Sequence, residues 1–96
     1  MAGALRSGQI TVTTAGTAVA GPSTPNGTLW AIKAHPDNTD TVWFGNDGAD
    51  DITSSNGFPL DAGETIIVET TPTGTLAEYY FDSDVNGEKL AWIKLA

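Results

Sequence analysis

The stretch Glu64-Thr-Ile-Ile-Val-Glu-Thr-Thr-Pro-Thr-Gly-Thr-Leu-Ala-Glu-Tyr-Tyr-Phe-Asp-Ser-Asp-Val-Asn-Gly-Glu-Lys-Leu-Ala-Trp-Ile-Lys-Leu95 decides the fold class. Its first seven residues are dense in β-branched side chains, and Thr71-Pro-Thr-Gly-Thr75 then breaks the run with turn chemistry. A strand is expected over Leu76 to Asp82, carrying Tyr79, Tyr80 and Phe81. Asn86-Gly87 is a strong two-residue hairpin signal, and it leads into a closing strand from Glu88 to Leu95.

The same grammar extends toward the N-terminus. Gln9 to Thr14 alternates, with Ile10 and Val12 on one face, and after Ala15-Gly16 the chain is expected to return as a hairpin strand over Thr17 to Ala20. Pro22, Pro25 and Asn26-Gly27 mark a loop. Thr28 to Ala34 and Thr41 to Asn46 form an expected second hairpin through His35-Pro-Asp-Asn-Thr-Asp40. Asp47 to Leu60 reads as a long surface loop with at most a short strand around Ile52. Turn signals every 8 to 12 residues or so, with no helical window between them, describe an all-β fold. The expectation is one β-sandwich or small barrel of seven to eight mostly antiparallel strands over residues 9–96, preceded by a flexible arm over residues 1–8. Ile10, Val12, Val42, Ile66, Val68 and Leu90 should point inward.

Composition narrows the function. The 96 residues carry four Lys plus Arg against 12 Asp plus Glu, a formal charge of −8, which disfavours nucleic acid and anionic membranes as partners. No window is long and apolar enough to span a bilayer, and the first residues lack the apolar run of a secretion signal, so synthesis in the cytoplasm is expected. Cysteine is absent, so thiol nucleophiles, disulfides and cysteine zinc sites are absent too.

Candidate chemistry is sparse. The single histidine, His35, stands in a turn beside Asp37, and no serine lies in a Gly-x-Ser-x-Gly elbow, so neither a triad nor any other catalytic residue is assigned. Asp82-Ser-Asp84-Val-Asn86-Gly87 matches the first half of an EF-hand loop, but Ile93 stands where the closing glutamate belongs; calcium binding there is expected to be weak or absent. Asp47, Asp50 and Asp51 form a second acidic cluster, read as solvated loop. No cofactor and no metal are expected. Asn-Gly recurs at 26, 56 and 86 without a sustained repeat around it. The neighbouring aromatics Trp43-Phe44 and Tyr79-Tyr80-Phe81 cannot all face one core, so some should be covered by a partner, or serve as sugar platforms through Trp30, Trp43 or Tyr80.

Asn38-Thr-Asp-Thr-Val-Trp-Phe-Gly45, Asn56-Gly-Phe-Pro-Leu-Asp-Ala-Gly-Glu64, Tyr79-Tyr-Phe-Asp82 and Gly87-Glu-Lys-Leu-Ala-Trp92 follow one another in an order that resembles small all-β virion proteins of tailed bacteriophages. The resemblance spans about residues 9 to 95. It implies a capsid decoration subunit on the outside of a head shell, bound to the major capsid protein and associated with itself as a trimer. A net charge of −8 would keep free copies apart before assembly. Arg6 and Gln9 at the arm, with Trp43, Phe58 and Tyr80 as exposed aromatics, are the candidate interface residues. A carbohydrate-binding or adhesion module of a tail or surface appendage is the alternative.

Overall fold

The computed structural model describes residues 6–46, 48–49 and 51–96. Eight strands are present: β1 (Ser7–Val12), β2 (Val19–Ala20), β3 (Leu29–Ala34), β4 (Val42–Gly45), β5 (Phe58–Leu60), β6 (Thr65–Glu69), β7 (Tyr80–Ser83) and β8 (Glu88–Lys94). They form two four-stranded antiparallel sheets, sheet I in the order β1-β8-β3-β6 and sheet II in the order β2-β7-β4-β5. Both sheets keep free edges, so the fold is an open sandwich and the barrel option falls away. Among the described residues there is no α-helix, only a turn of 3-10 helix at Leu76–Glu78 that Thr75 caps by accepting from Ala77 N–H.

The chain changes layer at almost every connection, and only β4 and β5 are both consecutive and paired. Three hairpins expected from turn chemistry are therefore corrected. Ala15-Gly16 carries the chain from sheet I to sheet II, the His35 to Asp40 segment does the same, and Asn86-Gly87 returns it from β7 to β8. A turn motif reverses the chain, but it leaves the choice of layer to long-range pairing: β1 finds β8, and β3 lies between β8 and β6. An eight-stranded double sheet interleaved in this order is a jelly roll.

Period-two alternation fixes the core. In β3 the burial of Leu-Trp-Ala-Ile-Lys-Ala alternates, with Trp30, Ile32 and Ala34 fully buried. They meet Ile10, Val12, Val68, Leu90 and Trp92 on the inner face of sheet I, and Val42, Phe44, Leu60 and Phe81 on that of sheet II. Leu76, buried on the 3-10 turn, joins them. The rings pack in preferred geometries: Trp30 and Trp92 edge-on at 5.8 Å, Phe44 and Phe81 stacked at 6.3 Å. Each buried side chain of this size contributes about 1.5–3 kcal/mol over leaving it in water. Five of the six residues expected inward are buried, and Ile66 packs half-buried against them.

Three further differences from the sequence reading concern ends and loops. β1 begins at Ser7, so Ser7 and Gly8 belong to a strand paired with Ile93 and Trp92, while residues 1–5 of the expected arm lie outside the described residues. The expected strand over Leu76 to Asp82 splits into the 3-10 turn and β7. Ile52 forms no strand; it is a buried residue, 2% exposed, within the loop that precedes β5.

Candidate interaction surface

The single histidine, His35, is half-buried in the turn between β3 and β4. His35 Nδ1 accepts from the Asp37 N–H at 3.1 Å and lies 3.8 Å from the exposed Asp37 carboxylate, an arrangement that caps the turn. Among the described residues, no three His, Cys, Asp or Glu side chains are grouped to hold a metal. Two oxygens of the half EF-hand accept backbone hydrogen bonds, while Asp84 is exposed. Asp82 Oδ1 accepts from Gly16 N–H at 3.0 Å and Ser83 N–H at 2.8 Å, and Asn86 Oδ1 accepts from Ala15 N–H at 2.7 Å. They bind the β1–β2 and β7–β8 connections to each other at one end of the sandwich. Asp47 and Asp50 of the second acidic cluster lie outside the described residues.

Glu88 was missed by the sequence reading. It is buried, and its carboxylate accepts from Thr39 N–H at 3.2 Å and Asp40 N–H at 2.9 Å, so it satisfies the backbone of the β3–β4 connection. Its signal was present: Glu88, Leu90 and Trp92 share one parity, and the other two are core. Beside this end, Thr41 Oγ donates to Asp61 at 2.8 Å within a shallow polar hollow of about 230 Å³.

The aromatics are mostly provided for within the chain. Trp30, proposed above as a sugar platform, is fully buried; its Nε1 donates to Thr70 Oγ1 at 3.0 Å, and that hydroxyl donates to Gly27 O at 2.6 Å. Trp43 stands on the outer face of sheet II opposite Asp82 and Pro59 and is half-buried. The loop that leads from β4 to β5 folds back over it. Ile52 rests on Gly45, where an added Cβ would lie 3.2 Å from the Ile52 side chain, and Gly57 lies so close that a Cβ there would sit 2.7 Å from Trp43 Cβ. Under this cover Trp43 Nε1 is buried without a hydrogen-bond partner among the described residues. Tyr80, opposite Gly45 and diagonal to Trp43 on the same face, is also half-buried. Phe58 is 54% exposed and meets Phe44 edge-on at 5.5 Å on the other side of the sheet.

The five candidate interface residues thus do not converge. Arg6 and Gln9 lie at and on β1 in sheet I, Trp43 and Tyr80 share the capped outer face of sheet II, and Phe58 stands at its β5 edge. What the sequence reading did not single out is the outer face of sheet I. Register places Ser7, Ile93, Ala31 and Ile67 in one row across all four strands. Ile67 is 53% exposed, and a shallow depression of about 330 Å³ opens beside Ala31, Ala91, Ile93 and Lys33. No segment among the described residues crosses this row.

Charge is divided along the same line. All four cationic side chains, Arg6, Lys33, Lys89 and Lys94, lie on sheet I or one residue before it, and none forms an ion pair among the described residues. Exposed carboxylates crowd the connections at one end of the sandwich: Asp37, Asp40, Asp61, Glu64 and Asp84. Among the described residues no helix is long and apolar enough to cross a membrane. Comparisons of the chain with family models, with curated proteins and with solved structures find no match in any of the three.

Proposed function

We propose that the protein is a non-enzymatic structural subunit of a virion, a decoration protein that binds the major capsid protein on the outside of a head shell and stabilises it. The observation that carries this reading is an uneven surface: the exposed Ile67 and all four cations stand at sheet I, while the exposed Asp37, Asp40, Asp61, Glu64 and Asp84 crowd the loops at one end of the sandwich. Such a surface binds protein through one face and resists indiscriminate association through the others. The jelly-roll order supports it at the level of architecture, since double sheets of this kind serve in viral capsids, although they also serve in lectins. The resemblance in the order of its turn motifs points to the capsid side of that pair. For the adhesion alternative the loss of Trp30 to the core and the capping of Trp43 leave Tyr80 as the remaining candidate ring.

The test is to locate the protein in purified particles by immunogold labelling and to add it back to shells stripped of it. Decoration predicts labelling over the head and restored resistance of the shell to heat. Labelling confined to tails, or no labelling, overturns it. The role of the N-terminal segment is tested by deleting residues 1–5 only, because Ser7 and Gly8 are paired strand residues and Gly8 packs on the Trp92 ring.

A further inference from the structure

We propose that the outer face of sheet I is a two-fold self-association surface, on which a second copy of this chain packs sheet to sheet. The proposal concerns the free protein; a copy docked to a shell through this face would give up its partner, and the measurement below is made without any shell. The trimer expected from the sequence rested on surplus aromatic surface. That surplus is small, because Trp30, Phe44, Phe81 and Trp92 are core and Trp43 lies under its own loop. The apolar surface that remains in one place is aliphatic: Ile93, Ala31 and Ile67 in a row, with Leu29 on one side of it and Ala91 on the other. Leu95, 39% exposed, extends it, its N–H donating to Leu29 O at 2.8 Å.

Charge selects the occupant. Each copy carries −8, so most approaches bring carboxylates together. Among the described residues the one carboxylate on the outer face of sheet I is Glu69, since Glu88 points inward. Lys33 lies two residues beyond Ala31 on β3, and Glu69 two residues beyond Ile67 on the antiparallel β6, so the two charges stand on opposite sides of the apolar row. A two-fold axis lying along that row, in the plane between the copies, keeps Ala31, Ile67 and Ile93 each over its own counterpart and lays Leu29 over the aliphatic stem of Lys33. It also carries Glu69 of each copy over Thr65 of the other, one strand spacing from Lys33. With strands about 4.8 Å apart and sheets about 10 Å apart, an extended lysine and glutamate span that gap. The symmetry forms the pair twice.

Area sets the strength. Four strands at about 4.8 Å and five residues at about 3.3 Å cover roughly 300 Å² in projection, well below the roughly 800 Å² per partner of a standard interface. The dimer is therefore weak in solution and becomes populated where copies are concentrated.

Sedimentation equilibrium of the full chain from about 10 μM to about 1 mM tests this. A monomer–dimer equilibrium is expected. Lys33→Glu and Glu69→Lys should each weaken it at least about tenfold, and the double reversal should return it to within about threefold of wild type. Both side chains are exposed, and circular dichroism confirms folding. As a measurement free of substitutions, concentration-dependent amide shifts should centre on Ala31, Lys33, Ile67, Glu69 and Ile93. A protein monomeric at about 1 mM, a trimeric stoichiometry, a double reversal that stays dissociated, or shifts centred elsewhere would each overturn the proposal.

Discussion

The two sheets bury their inner faces alike and treat their outer faces in opposite ways. On sheet II a loop lies down over Trp43 and Gly45 and buries Ile52; on sheet I Ala31, Ile67 and Ile93 have nothing laid across them among the described residues. The cause is local. Sheet II has a long connection from β4 to β5, with Gly45 at φ +144° and Gly57 free of side chain, so backbone reaches the sheet surface where any Cβ would collide. The connections flanking sheet I close against strand ends, as where Gly63 N–H donates to Ala34 O at 2.9 Å. Covering an outer face thus depends on what the chain can bring down upon it. The face left open is the one that carries Lys33 and Lys89.

The sharpest way to break the contrast is to remove its two isoleucines. Ile52→Ala should cost about 3 kcal/mol, because it empties a buried site, whereas Ile67→Ala at an exposed site should change stability by no more than about 0.5 kcal/mol; urea unfolding of both variants measures the difference. A smaller loss, about 2 kcal/mol, is expected from Gly57→Ala, where the new methyl meets Trp43 Cβ and the Thr53 carbonyl. Acrylamide should then quench Trp43 more strongly, while the buried Trp30 and Trp92 stay protected.

The smallest effect belongs to the clasp between the two layers. Tyr79, which precedes β7, donates its hydroxyl to Glu69 O on β6 at 2.6 Å, and burial pushes its phenol above the usual value, with the Glu78 and Glu69 carboxylates adding to the rise. The unfolded chain gives up this proton first. The contribution is therefore complete below pH about 10 and is lost as pH climbs through the raised folded value. Stability measured across that range should fall more steeply in wild type than in Tyr79→Phe.

Alternation was the legible part of the sequence. Ile10 with Val12, Val42, Val68 and Leu90 declared an inward face because every second residue along a strand shares one side. Layer assignment was illegible, because Asn86-Gly87 has the backbone chemistry of a hairpin yet its Asn86 side chain binds Ala15 and its Gly87 N–H donates to Val12 O at 2.7 Å. Those partners stand more than 70 residues away, beyond the reach of local propensity. Ile52 stood alone in a polar stretch with no periodicity to mark it; the flanking Gly45 and Gly57 were the readable sign that backbone approaches closely there. The open face of sheet I escaped notice because its residues were read as the unremarkable half of each alternation, and only register brings Ile93, Ala31 and Ile67 into line.

The position of β8 between β1 and β3 governs when this molecule comes into being. Sheet I cannot acquire its interior until the chain has been extended through Lys94, since β1 pairs with β8, and β8 in turn joins β1 to β3. Pairings of such sequence separation form late and slowly. A chain that ends before β8 can therefore form sheet II and the β3–β6 pair, but its β1 has no partner and the two halves of sheet I stay apart. The inner face of sheet I is thus completed in a single late step, when β8 inserts between β1 and β3.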